Sequence, residues 1–123
     1  MKKITLLIVD DHPLFRQGVA DSLAIEADMA VLGQAASGED GLDLIRDLKP
    51  QIALMDINLP GMNGQQITHL IVQEKLPTRV LLLTGYDEME QAVHAALAGA
   101  AGYLAKDIEP ENLMNAIRDV ADG

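Results

Sequence analysis

At 123 residues with 49% hydrophobic side chains, the chain has enough material for one domain around one core, and with 2% aromatics that core is aliphatic and offers no stacking platform for bases or flavins. Nineteen acidic against nine basic residues give a net charge of −10, which repels phosphate backbones, so this domain alone is not expected to bind DNA. The absence of cysteine excludes disulfides, thiolate catalysis and sulfur-ligated zinc, and fits a reducing compartment.

Met1-Lys2-Lys3 leads into the apolar run Ile4 to Val9, which predicts a strand over residues 4–9. This run, like the others in the chain, is strand-sized and falls short of the roughly 20 residues that span a bilayer. The expectation is a soluble, cytoplasmic protein. Asp10-Asp11-His12 follows, and Pro13 suits the first turn of a helix. A second strand is predicted over 30–36. Ser37 and Asp40 then form a helix-start capping pair, Leu42, Ile45 and Leu48 give the buried face of that helix, and Lys49-Pro50 ends it.

A third strand over 51–56 ends in Asp56. Leu59-Pro60-Gly61-Met62-Asn63-Gly64 is turn chemistry, and the next helix runs through Ile67, Leu70 and Ile71. A fourth strand over 79–83 precedes Thr84, and a helix of small side chains runs from about Glu88 to Leu97. The last strand, over 101–104, precedes Lys106. Leu113, Ala116, Ile117, Val120 and Ala121 make one stripe of a final helix, with Pro110 in its first turn and Gly123 at its end. No linker or repeat interrupts the pattern.

Continuous apolar strands alternating with helices predict an α/β fold: a doubly wound, five-stranded parallel sheet with helices on both faces. Ligands in such folds bind beyond the carboxyl ends of the strands. Asp10 and Asp11, Asp56, Thr84 and Lys106 all follow strand ends, so one pocket can gather them. Singly each has an ordinary reading: Asp11 or Thr84 as a helix cap, Lys106 as a surface charge, His12, His69 and His94 as helix-start or helix-surface side chains. Jointly they form a pattern.

Carboxylates crowded in a low-dielectric pocket raise one another's pKa unless a cation compensates. Oxygen ligands with room for water describe Mg²⁺ better than zinc. With a lysine and a hydroxyl opposite the acids, the pocket suits a phosphoryl group. Asp56, alone at its strand end before a turn, is the candidate nucleophile, while the paired Asp10 and Asp11 are better placed to hold metal.

The motifs Val9-Asp10-Asp11-His12-Pro13-Leu14-Phe15-Arg16-Gln17-Gly18-Val19, Leu54 to Gly64, Leu83-Thr84-Gly85 and Gly99 to Asp107 carry a specific resemblance along essentially the whole chain. It resembles a receiver domain of bacterial two-component response regulators, NarL/FixJ (LuxR-like) subgroup, with the flavodoxin/CheY-like fold. The resemblance implies that Asp56 accepts a phosphoryl group from the phosphohistidine of a sensor histidine kinase. It places Mg²⁺ on Asp11, Asp56 and the Asn58 backbone carbonyl, with Asp10 reaching it through water. Such a domain is no enzyme in the ordinary sense, though it assists its own phosphorylation and dephosphorylation.

The same resemblance implies that Thr84 closes on the phosphoryl group while Tyr103 turns inward, altering the surface of the fourth helix, last strand and last helix. Asn58 and Tyr86 would tune phosphate lifetime, and the helix ending at Leu97 would be the element that repacks. The domain would be the N-terminal part of a longer regulator whose helix-turn-helix output domain binds DNA, with dimerisation on phosphorylation. Gly85 and Asp107 stand where many receivers have alanine and proline; a cis bond before Asp107 would cost roughly 3 kcal/mol and is not assumed. The rival reading is a Mg²⁺-dependent aspartyl-phosphate phosphohydrolase of the haloacid-dehalogenase type. It wants an Asp-x-Asp-x-Thr or Ser frame that Asp10-Asp11 lacks.

Overall fold

The computed structural model describes residues 2–85 and 89–123. Strands and helices alternate: β1 (Ile4–Val9), α1 (Pro13–Ala24), β2 (Met29–Ala35), α2 (Gly38–Leu48), β3 (Ile52–Asp56), α3 (Gly64–Gln73), β4 (Arg79–Thr84), α4 (Met89–Leu97), β5 (Gly102–Ala105) and α5 (Pro110–Asp122). The strands pair in parallel in the order β2-β1-β3-β4-β5. The chain therefore runs outward in one direction from β1 to β2 and in the other from β3 to β5. A crevice opens beyond the carboxyl ends of β1 and β3, where the winding reverses.

The period of two in a strand sorts the core into two layers. Leu7, Val9, Met55 and Leu82 face Leu42 and Ile45 of α2 and Ile67 and Ile71 of α3. Leu6, Ile8, Leu54 and Leu83 face Val19 and Leu23 of α1 and Leu113 and Ile117 of α5. Because Ile45 and Leu54 are fully buried, truncating either to alanine should cost about 2–5 kcal/mol. This two-sided burial is what the unbroken apolar runs of β1, β3 and β4 encode.

The edge strands differ from that expectation. β2 and β5 are only partly buried, since an edge strand has a neighbour on one side and incomplete helix cover. The β1–β2 register also slips between Leu6 and Leu7, leaving Leu32 exposed. Helix starts follow local chemistry. Ser37 accepts from the Asp40 backbone N–H, Asn63 and Gln66 form a reciprocal capping box, and Pro110 occupies the first turn of α5. Lys49 ends α2 with φ of 47°. Among the described residues no peptide is cis, including that before Asp107.

Candidate functional site

Three strand ends meet at the crevice. Asp10 follows β1 and is fully buried; its backbone N–H donates to the Ala35 carbonyl at 3.0 Å, so it continues the ladder with β2. Asp56 closes β3 with 1% of its surface exposed. Lys106 follows β5, and its N–H donates to the Thr84 carbonyl (3.0 Å), which fixes it to the end of β4. Backbone pairing thus carries each charged side chain to one place.

Lys106 Nζ lies 3.0 Å from Asp56 Oδ2 and 3.2 Å from Asp10 Oδ2. The other Asp56 oxygen accepts from the Asn58 backbone N–H at 3.1 Å. Burial pushes the Asp56 pKa up; the Lys106 ammonium and the Asn58 N–H pull it down without overcoming burial, and Asp10 adds repulsion. For Lys106, burial opposes the charged form, yet Asp56 and Asp10 outweigh it and raise its pKa. One lysine is shared by two buried acids.

The sequence puts His12 at a helix start, and it is the N-cap of α1. Its ring does more. Nδ1 sits 2.9 Å from Asp10 Oδ1, 3.2 Å from Asp11 Oδ1 and 3.8 Å from Asp56 Oδ2. The clue available in the sequence was its adjacency to the acid pair. Two further neighbours had no such clue: Arg16 Nη1 donates to the Asp10 carbonyl at 2.7 Å, and Phe15 lies beneath Lys106 with its ring centroid 5.0 Å from Nζ.

Asp10, Asp11, His12 and Asp56 offer ligand atoms that all lie within 4.8 Å of one another. Asp10 Oδ2 is buried without a hydrogen bond, its nearest compensation being the ionic contact with Lys106. Such an orphaned oxygen beside two other carboxylates is expensive unless a cation joins them. The donor set is chiefly hard oxygen, so the acidic pocket fits a metal ion of the Mg²⁺ or Ca²⁺ kind.

Asp10, Asp11, Asp56 and Lys106 are thus brought together, with Asn58 beside them. Thr84 stands at the adjacent strand end, buried, with its hydroxyl donating to the Gly85 carbonyl at 3.0 Å. Tyr103 lies on β5 with 39% of its surface exposed. Tyr86 lies outside the described residues. His69 and His94 fall on α3 and α4, as their helical setting suggested.

The family model of the response regulator receiver domain matches residues 6–118. The chain is 39% identical over 119 residues to the nitrate/nitrite response regulator protein NarL of Escherichia coli K12, and 39% identical over 120 residues to the response regulator GacA of Pseudomonas aeruginosa. These alignments cover 97% and 98% of this chain but only 55% and 56% of those proteins, so the chain spans about half the length of the curated relatives it matches. The solved signal receiver domain of NarL from Mycobacterium tuberculosis superposes with a TM-score of 0.96 at 39% identity, covering 100% of this chain and 99% of that one. A CheY-like receiver domain protein from Methanospirillum hungatei gives 0.85 at 28% identity, with 99% and 95% covered.

Proposed function

The chain belongs to the response regulator receiver domain family, and from that premise we propose that Asp56 is its phosphoacceptor within a phosphorylation-dependent signalling switch. One observation carries this reading: Asp56 is buried, one oxygen is held by Lys106 and the other by a backbone N–H, and Asp10 presents an orphaned oxygen beside it. A phosphohydrolase of the haloacid-dehalogenase type is set aside by the family match.

Asp11, Asp56 and the Asn58 carbonyl would hold Mg²⁺, with Asp10 reaching it through water; when bound, the ion supplies positive charge to the acids and to phosphoryl oxygens. The chain's own work is positioning and neutralisation. An Asp56 oxygen attacks phosphorus, the P–N bond to the kinase histidine breaks, and the imidazole leaves with the bonding pair and takes a proton. An acyl phosphate remains on Asp56. Lys106, already against Asp56 Oδ2 at 3.0 Å, moves its contact to a phosphoryl oxygen. No general base is needed, because the nucleophile is an ionised carboxylate.

Thr84 couples this chemistry to shape. Its hydroxyl must leave the Gly85 carbonyl to donate to the phosphoryl group, which draws the loop after β4 toward the site and opens room for Tyr103 to turn inward. Hydrogen bonds to a charged group contribute roughly 1.5–3 kcal/mol each, but Lys106 exchanges one charged partner for another and Thr84 gives up the Gly85 carbonyl, so together they supply part of the 5.5 kcal/mol or so that converts a one-percent state into the dominant one. The face of α4, β5 and α5 is the output, α4 being the element that repacks. Tyr86 and Asn58 tune the lifetime of the acyl phosphate.

The partner is a sensor histidine kinase. The likeness to relatives about twice as long supports a longer regulator with a helix-turn-helix output domain, which dimerises on phosphorylation and controls transcription in the cytoplasm. For this chain, no described helix is long and apolar enough to cross a membrane. Intact-mass measurement after acetyl phosphate and Mg²⁺ tests the proposal. One phosphoryl adduct is expected on wild type and none on Asp56→Asn; an unmodified wild type, or an adduct surviving in the variant, overturns it.

A further inference from the structure

The loop of residues 57–63 leaves Asp56 and carries Asn58, so its shape sets what the acid cluster can hold. Backbone bonds close its base: Ile57 N–H donates to the Leu83 carbonyl at 3.1 Å, and Gly64 N–H donates to the Ile57 carbonyl at 3.0 Å. The capping box of Asn63 and Gln66 holds its exit. Its far side is tied across the fold to α2. Met62 N–H donates to Glu39 Oε1 at 2.7 Å, although 23 residues separate them.

Two glycines make this tie possible. Gly61 has φ of +72°, and a Cβ there would fall 2.6 Å from Glu39 Oε1, so only a bare α-carbon lets the carboxylate approach the loop. Gly38, directly before Glu39, packs its α-carbon against Met62, and an added Cβ would collide with the Met62 carbonyl oxygen. Backbone permissiveness on both partners, together with the hydrogen bond between them, specifies one docking of α2 on the loop. Ile57 and Leu59 within the loop are buried in the same core layer as Leu42 and Ile45 of α2, so the tie and the packing act together.

We infer that Glu39 is a positioning residue: its carboxylate straps the first turn of α2 to Met62 and thereby sets the loop that carries Asn58 beside Asp56. It rests on the reading of that loop as part of the metal and phosphoacceptor site. Glu39 acts only through Met62. Loosening the strap widens the range of Asn58 positions, which weakens metal binding and slows phosphoryl uptake while leaving the fold in place.

A second role competes, since an acid in the first turn also favours the dipole of α2, and Glu39→Gln separates the two. Glutamine keeps an oxygen that accepts from Met62 N–H but carries no charge. The 123-residue chain, Glu39→Ala and Glu39→Gln are compared by NMR hydrogen exchange at the Met62 amide, by Mg²⁺ titration followed through amide shifts, and by melting temperature. Glu39→Ala is expected to speed Met62 exchange by about three- to tenfold and to weaken Mg²⁺ affinity by a similar factor, with Glu39→Gln within about twofold of wild type in both.

Unchanged Met62 exchange or unchanged Mg²⁺ affinity in Glu39→Ala, beside a wild type that binds Mg²⁺, overturns this inference alone. So does Glu39→Gln behaving like Glu39→Ala. A wild type that binds no Mg²⁺ overturns the functional reading, and this inference with it.

Discussion

Two ionic clusters occupy opposite ends of the same sheet, and their contrast shows which one is built for chemistry. At the amino end, Arg118 of α5 donates from Nε to Asp28 Oδ2 (2.9 Å) and from Nη2 to Glu26 Oε1 (2.8 Å) and Asp28 Oδ1 (3.1 Å). All three side chains keep about a third of their surface in water, and the forked geometry satisfies the acids. At the carboxyl end, Asp10 and Asp56 are buried, share one ammonium, and leave Asp10 Oδ2 without a hydrogen bond. The first cluster closes α5 over the mouth of β2 and is complete in itself. The second gathers more carboxylates than cations, and that deficit of positive charge among buried groups fits a metal ion.

Removing Lys106 from the carboxyl-end cluster should give the largest effect. Lys106→Met leaves two buried acids facing each other and should lower stability of the metal-free protein by about 2–3 kcal/mol at neutral pH, read by urea unfolding. The loss should shrink in acid as Asp56 takes a proton. An equal loss at both pH values would break the electrostatic account.

Removing an acid should act in the opposite direction. The folded state raises the Asp56 pKa above its ordinary 3.8, so near that value it binds protons more tightly than the unfolded chain. Its contribution to stability therefore falls as pH rises from the ordinary carboxylate range through the raised value, and is flat above. Asp56→Asn should stabilise the metal-free protein by roughly 1 kcal/mol at neutral pH and converge with wild type in acid. A destabilised variant at neutral pH would contradict this.

The amino-end cluster should give the smallest effect and the reverse pH slope. The hydrogen bond from Arg118 holds the Asp28 carboxyl below its ordinary pKa, so its contribution is present above 3.8 and is lost as pH falls through the lowered value. Arg118→Ala should lower the melting temperature less than Lys106→Met, and high salt should remove most of the difference. A salt-insensitive loss larger than that of Lys106→Met would erase the contrast between the two ends.

Much of this was legible in the chain. β1 spans the predicted residues 4–9, while β2, β3, β4 and β5 each differ by one residue at one or both ends, because the apolar pattern reports burial whereas pairing starts or stops a residue to either side of it. Asp10, Asp11, Asp56 and Lys106 could be gathered because parallel topology places every strand's carboxyl end on one edge. Side-chain contacts between elements left no such trace. Glu39 reaches Met62, Arg16 reaches the Asp10 carbonyl and Phe15 underlies Lys106 through the packing of helices on the sheet, which no periodicity encodes. The hydrogen bond from Thr84 to Gly85 likewise belongs to the loop conformation, whereas the residue's position at a strand end was readable.

Calorimetric titration with Mg²⁺ of wild type, Asp11→Ala and Asp28→Ala tests most directly whether the deficit of positive charge belongs to the carboxyl end alone. One saturable site is expected in wild type, retained in Asp28→Ala and weakened at least about tenfold in Asp11→Ala. Absence of saturable binding in wild type, or equal affinity in the two variants, would contradict the account.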